Sequence, residues 1–181
     1  MSGGPLLSAG LQGTAARTML LCGILIMAIA YFSTWTTYGT WLPGDERGWF
    51  AAGKGIQLPD MIRRLTAALV MTDSAVTLDM PQRLLVEEVI GKHCEIRGWT
   101  LHAVQCRSNH VHVVVSANDR AIQVPREQFK SWSTRKLKEN AGTDRRQWWS
   151  ERGWDVYLDD ERGVHDAVRY VAEGQDPPRL R

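Results

Sequence analysis

The sequence lacks a hydrophobic run long enough to cross a bilayer. Its longest apolar stretch, Met19–Ala30, has twelve residues, against the ~20 that a spanning helix needs. It also lacks a cysteine framework. Cys22, Cys94 and Cys106 are the only three, and an odd number without a CxxC pair excludes a disulfide scaffold and a zinc ribbon. A reduced, cytoplasmic location with no stable membrane association fits that usage. Charge of one sign is not in excess either, because 22 Lys and Arg against 20 Asp and Glu leave a net +2. Any basic surface must therefore come from uneven distribution. No internal repeat or low-complexity tract is present. With 44% hydrophobic and 23% charged residues in 181, the composition is that of a globular domain and excludes a disordered chain, a collagen repeat or a coiled-coil rod. Eight tryptophans are the one compositional excess.

Residues 1–18 are Gly-, Ala-, Ser- and Leu-rich with a single charge, Arg17. The apolar run that follows has the length of a signal-peptide core, and Ala28-Ile29-Ala30 has the small-residue pattern of a cleavage site. The texture changes at Tyr31. Residues 31–38, YFSTWTTY, are aromatic and β-branched and predict a strand that ends in the turn-rich LPGDERG at 42–48. A short helix is expected within 58–70, carrying Arg63 and Arg64. Asp79 is the expected N-cap of a longer helix, with Pro81 in its first turn and Gln82 at the capping-box position. That helix runs to about Arg97 and stops at Gly98. Two strands follow, 99–107 and 110–116, then a helix over 125–140, a short strand at 155–158 and a last helix over 161–173. Strands and helices mixed around a central hairpin predict an α+β fold, an antiparallel sheet with helices packed on it.

The sharpest local signal is Asn109-His110-Val111-His112-Val113. Alternate side chains of a strand share a face, so His110 and His112 stand together, roughly 6–7 Å apart, while the valines turn to the core. Two such imidazoles can close on one divalent ion, or they can be two polar residues on an exposed strand face. Tyr170, late in the last helix, is a second candidate. A phenol with a pKa of about 10 attacks few centres unaided, but a metal that neutralises the attacked phosphate relieves that difficulty. Glu173 and Gln175, just beyond it, are possible third metal ligands. The plain alternative is an aromatic anchor for the helix. His93, Cys94, His102, Cys106 and His165 match no ligand spacing and read as core and surface residues.

Charge is uneven in one place. Residues 121–154 carry eight positive and four negative side chains, a net of +4. Among them are Arg126, Lys130, Arg135, Lys136, Arg145, Arg146 and Arg152, interleaved with Trp132, Trp148, Trp149 and Trp154. Basic groups that meet phosphates, mixed with rings that stack on bases, make a single-strand-binding surface. An ordinary solvated helix face with core tryptophans is the other reading.

Taken together, three stretches resemble the insertion-sequence-200-like transposases, single-tyrosine members of the HUH superfamily, in the branch near the REP-associated tyrosine transposases. The first is YFSTWTTYGTWLPGD at 31–45, the second RSNHVHVVV at 107–115, and the third Trp149 to Asp160 followed by Tyr170-Val171. The resemblance covers about 31–175 and implies a ferredoxin-like sheet, the HUH endonuclease fold. It implies that His110 and His112 ligate Mg²⁺ or Mn²⁺ and that Tyr170 is the nucleophile. Single-stranded or hairpin DNA would be nicked through a 5′-phosphotyrosine, by a monomer or a homodimer. Relatives carry a glutamine four residues after the tyrosine; that position is Gly174 here, with Gln175 one further as the implied third ligand. A catalytically silent, domesticated hairpin-binding protein is the alternative. Residues 1–30 fall outside the resemblance, as a disordered extension or a misplaced start upstream of Met19 or Met27, leaving 31–181 as the transposase domain.

Overall fold

The computed structural model describes residues 20–21, 24–25, 28–51, 54–117 and 120–173. Residues 1–19, the larger part of the expected 1–30 extension, and 174–181, which hold Gln175, lie outside them. Two residue pairs, β1 (Leu20–Leu21) and β2 (Ile24–Leu25), form a small antiparallel ladder. The central strand β3 spans Ala30–Thr36. An excursion follows with the hairpin β4 (Trp49–Ala51) and β5 (Gly55–Gln57) and the helix α1 (Met61–Leu69). Then come α2 (Met80–Arg97), β6 (Thr100–Cys106), β7 (His110–Ser116), α3 (Gln123–Ala141), β8 (Trp154–Leu158) and α4 (Glu161–Glu173).

The main sheet has the order β6-β7-β3-β8, antiparallel throughout. Omitting the excursion, the chain runs β3-α2-β6-β7-α3-β8, the ferredoxin-like βαββαβ arrangement. The α+β fold read from the sequence is therefore the fold observed, and the predicted elements recur within a few residues. α2 begins as expected: Asp79 accepts from Gln82 N while the Gln82 side chain accepts from Asp79 N, and Gly98 closes the helix at φ 66°. β3 stops two residues short of the predicted Tyr38. Thr37 leaves the ladder to form a corner, its N donating to Asn109 O at 2.8 Å and its Oγ1 to Val76 O at 2.6 Å.

Helices cover both faces of the sheet. On one, α2 and α3 bury Val86, Ile90, Phe129 and Leu137 against Trp35, Val111, Val113 and Val115. On the other, α4 lays Val171, with Val164, Ala167 and Val168 around it, over Phe32 and Val114. The period of two along β7 divides its residues accordingly. Odd-numbered valines face α2 and α3, while His110, His112 and Val114 face α4.

The tryptophan excess has a mixed answer. Trp35, Trp99, Trp148 and Trp149 are core residues, whereas Trp41, Trp132 and Trp154 are exposed.

Candidate functional site

β7 places His110 and His112 side by side, ring centroids 4.8 Å apart and nearly perpendicular. Ladder register fixes their neighbours. Thr36 lies opposite His110, and Thr34 and Gln105 flank His112 on β3 and β6. Directly paired residues of an antiparallel ladder share a face, so these side chains form one polar patch on the α4 side of the sheet.

α4 brings Tyr170 to the same patch. Its ring stands edge-on to His112 at 5.9 Å and edge-on to Phe32 at 6.0 Å. Phe32 in turn stacks flat on His112 at 5.6 Å and meets Trp154 edge-on at 6.2 Å. One buried phenylalanine thus holds the histidine, the tyrosine and an exposed tryptophan in fixed mutual orientation. Val171, 1% exposed, seats the helix, while Tyr170 is 49% exposed. Nearly half of that residue's surface is open to solvent without any unfolding of α4.

The two histidines differ in environment. His110 is half-buried, and its Nδ1 lies 2.7 Å from Asn109 Oδ1. In the tautomer in which Nδ1 donates that bond, Nε2 carries the lone pair, which is how a neighbouring acceptor orients a metal-binding imidazole. His112 is only 7% exposed. The reading of two polar residues on an exposed strand face does not fit His112, whose ring is packed between Phe32 and Tyr170.

The donor set is consistent with a divalent ion. Two imidazoles are joined by Gln105, whose Oε1 is buried without a hydrogen-bond partner. A buried carbonyl oxygen left unpaired is costly, and a cation beside it would satisfy it. Among the described residues no third His, Cys, Asp or Glu gathers with another two into a metal-binding group, so Glu173 does not close the set. Gln175 lies outside the described residues.

The basic stretch behaves differently from its sequence reading. On α3 the inward positions are Pro125, Arg126, Phe129, Lys130, Ser133 and Leu137, a helical stripe on which two of the expected DNA contacts fall. Arg126 pairs with Asp155 and with Glu127 at 3.2 Å. Gly153 makes room for it, since a Cβ there would meet Arg126 Cδ at 2.6 Å and Thr34 O at 2.7 Å. Lys130 donates to Glu151 O at 2.9 Å, and burial pushes its pKa down. Both cations are committed to protein partners, a correction to their expected place on the surface. Arg135, Lys136, Arg146 and Arg152 are exposed and Arg145 is half-buried. Arg135 stacks on Trp132 at 4.6 Å, Lys136 pairs with Glu139 at 2.7 Å, and Arg145 donates to Ser74 O at 2.7 Å. α3 packs on the sheet face opposite the histidines, so Arg135 and Lys136 are not gathered with the pair.

Cys94 and Cys106 are inert. Burial pushes the thiols of Cys94 and Cys106 up to about 12, and both sit in the apolar core. Sequence reasoning passed over Phe32, Thr34, Thr36 and Gln105. The strand pattern of YFSTWT carried the first three, since its even positions must share the histidines' face once the two strands pair.

Residues 69–158 match the family model described as "Transposase IS200 like". The match includes both histidines and ends before Tyr170. No curated protein matches. The structure of a REP-associated tyrosine transposase bound to a REP hairpin is 13% identical, with a TM-score of 0.43 over 81% of this chain and 66% of that one. A Deinococcus radiodurans R1 protein assigned as a transposase is also 13% identical, with a TM-score of 0.44 over 92% of this chain and 100% of that one. No helix among the described residues is long and apolar enough to cross a membrane. By the match through residues 69–158, the chain belongs to the IS200-like transposase family.

Proposed function

We propose that the protein is a transposase that nicks and rejoins single-stranded or hairpin DNA, with Tyr170 as nucleophile. The observation that carries this reading is the meeting of Tyr170, from the last helix, with His112 and His110, from the central hairpin, on one sheet face. Nothing in the core requires a half-exposed tyrosine at that point, and Val171 already anchors the helix.

In the proposed reaction Tyr170 Oη attacks the phosphorus of a bound strand in line. The bond from phosphorus to the 3′ oxygen breaks as the phenolic bond forms. The phenol loses its proton and the departing 3′ oxygen gains one. The products are a 5′-phosphotyrosine and a free 3′-hydroxyl, and a 3′-hydroxyl can reverse the step because the phosphodiester energy is conserved in the covalent link.

His110, His112 and Gln175 are the proposed ligands of Mg²⁺ or Mn²⁺. Such an ion, when bound, neutralises phosphate charge and polarises the scissile bond. The chain's own contribution is orientation. Asn109 fixes the His110 ring, Phe32 fixes His112 and Tyr170, and Trp154, 63% exposed at the rim, offers a ring on which a base can stack. Arg135, Lys136, Arg145, Arg146 and Arg152 are proposed phosphate contacts for the parts of a folded strand that reach beyond the site.

The test is a trapping assay. A hairpin oligonucleotide drawn from the DNA flanking the gene, incubated with protein and Mn²⁺, should give a band that survives denaturing electrophoresis. An adduct that persists in Tyr170→Phe would overturn the assignment.

A further inference from the structure

The loop that leaves β3 beside His110 is built far more rigidly than a connection requires. Asp45, 6% exposed, accepts from Arg47 N at 3.0 Å, Arg47 Nε at 2.7 Å and Arg47 NH2 at 3.0 Å. That same NH2 donates to Thr40 O at 2.8 Å, and Trp41 Nε1 donates to Gly48 O at 2.7 Å. Gly44, at φ 89°, lies so close to α1 that a Cβ would meet Asp60 O at 2.2 Å. The outcome is one surface feature: the Arg47 guanidinium 4.9 Å from the centre of the Trp41 ring. Both side chains remain about half exposed, at 48% each.

The loop is rooted at the site. Thr37 N and Thr40 Oγ1 both reach Asn109 O, at 2.8 and 3.4 Å, and the Asn109 side chain contacts His110. Thr36, the last residue of β3, pairs with His110, and the chain runs from it directly into this loop. The basic stretch on α3 does not reach this loop, because α3 lies on the far face of the sheet and Arg126 and Lys130 are turned inward. Two large side chains held half exposed in a fixed stack, one cationic and one aromatic, combine the two chemistries that single strands offer, phosphate charge and base π-faces.

We infer that Trp41 and Arg47 form a nucleotide seat at the rim of the His110–His112 site, Trp41 stacking a base of the bound strand and Arg47 holding its phosphate. The inference rests on the DNA-processing role proposed for that site. Asp45 and the Thr40 carbonyl act as positioning groups that keep the guanidinium in place, so little side-chain freedom is lost when a nucleotide arrives.

The experiment measures binding of the full chain to a fluorescein-labelled oligo(dT) of about 20 nucleotides, longer than the ~4–16 that a single-strand site covers. Trp41→Ala should weaken binding about tenfold, within the range for one stacked base. Trp41→Phe keeps the ring and loses only the bond to Gly48, and it should stay within about twofold of wild type. Arg47→Gln should lower the slope of log affinity against log salt by about 0.7, and Arg47→Lys should not. Equal losses in Trp41→Phe and Trp41→Ala would show that Trp41 merely supports the loop, and overturn the seat. Wild-type affinity in Trp41→Ala would also overturn it, and leave the wider DNA reading intact. Absence of oligo(dT) binding by the wild type would overturn both. Should Arg47→Gln fail to give a cooperative melt, the two Trp41 variants decide the case.

Discussion

Tyr170 stands edge-on to His112, ring planes at 88° and centroids 5.9 Å apart, within a single copy of the chain. Phe32 touches both rings, so the proposed nucleophile and His112 share one support. Exposure of Tyr170 near one half means that the ring packs on one side and is open to solvent on the other. Tyr170→Phe keeps the ring and its contacts. We expect its melting temperature and DNA affinity to match wild type while the covalent adduct disappears. Gel trapping alongside a binding titration separates the two effects.

The two histidine variants should part company in stability. His110→Ala removes a half-buried side chain at the start of β7 and should cost less than about 1 kcal/mol. His112→Ala empties a site that is 7% exposed and leaves Phe32 without its stacking partner. That loss should cost about 2 kcal/mol, in the range for removing a buried ring contact and leaving a cavity. Both variants should lose metal-dependent nicking. Urea titrations read the stability difference, and equal midpoints would refute the packing of His112.

Arg126 and Asp155 form a buried ion pair, both side chains under 10% exposed. Removing one partner of such a pair leaves an uncompensated charge and costs about 3–5 kcal/mol. Arg126→Ala should therefore unfold early and show little specific change in salt dependence. Arg146→Gln or Arg152→Gln should leave stability within about 0.5 kcal/mol and reduce the salt slope of single-strand binding by about 0.7 each. A stable Arg126→Ala protein with a reduced slope would place Arg126 on the DNA after all.

This contrast marks where the sequence was legible. A strand of alternating His and Val reports its own faces, so the histidine pair could be read directly, and the Asp79 capping box announced α2 with the correct first turn. The sidedness of α3 was also encoded, since Arg126, Phe129, Ser133 and Leu137 repeat every three or four residues along one stripe. Two cations on that stripe disguised it as a solvated face. Only the approach of β8, with Asp155 and a glycine at 153, makes an inward arginine affordable. Phe32 and Gln105 escaped notice because their importance comes from register, between strands 82 residues apart for Phe32 and Val114 (114 − 32) and across a hairpin for Gln105.

Asp45 gives the loop over residues 37–48 a pH limit. Hydrogen bonds from Arg47 are the main cause that holds its carboxyl below the ordinary value of 3.8. A carboxylate with a lowered folded pKa contributes stability above its unfolded pKa, and that contribution fades as pH falls through the folded value. The loop should thus keep its form through mildly acidic conditions and loosen only below pH about 4. Asp45→Asn should remove this acid-dependent component and lower the melting temperature at neutral pH. Melting curves of both proteins across pH test the sign.

Gln105 Oε1 is buried and unpaired on the face that carries His112, whereas Glu173 joins no metal-binding group with the histidines. Mn²⁺ affinity, followed by electron paramagnetic resonance without DNA, should fall by tenfold or more in His110→Ala, about 1.4 kcal/mol or more. Gln175→Ala should fall similarly if its amide closes the set, and Glu173→Ala should match wild type. Gln105→Leu replaces an unpaired polar group with an apolar one of similar size, so without a metal it should be neutral or stabilising. If Gln105 faces the ion, the same variant should also bind Mn²⁺ less tightly. Loss of affinity together with unchanged or raised stability is the signature of an oxygen kept for a ligand. A Gln105→Leu protein that is less stable and binds Mn²⁺ normally would show that the amide serves the fold alone.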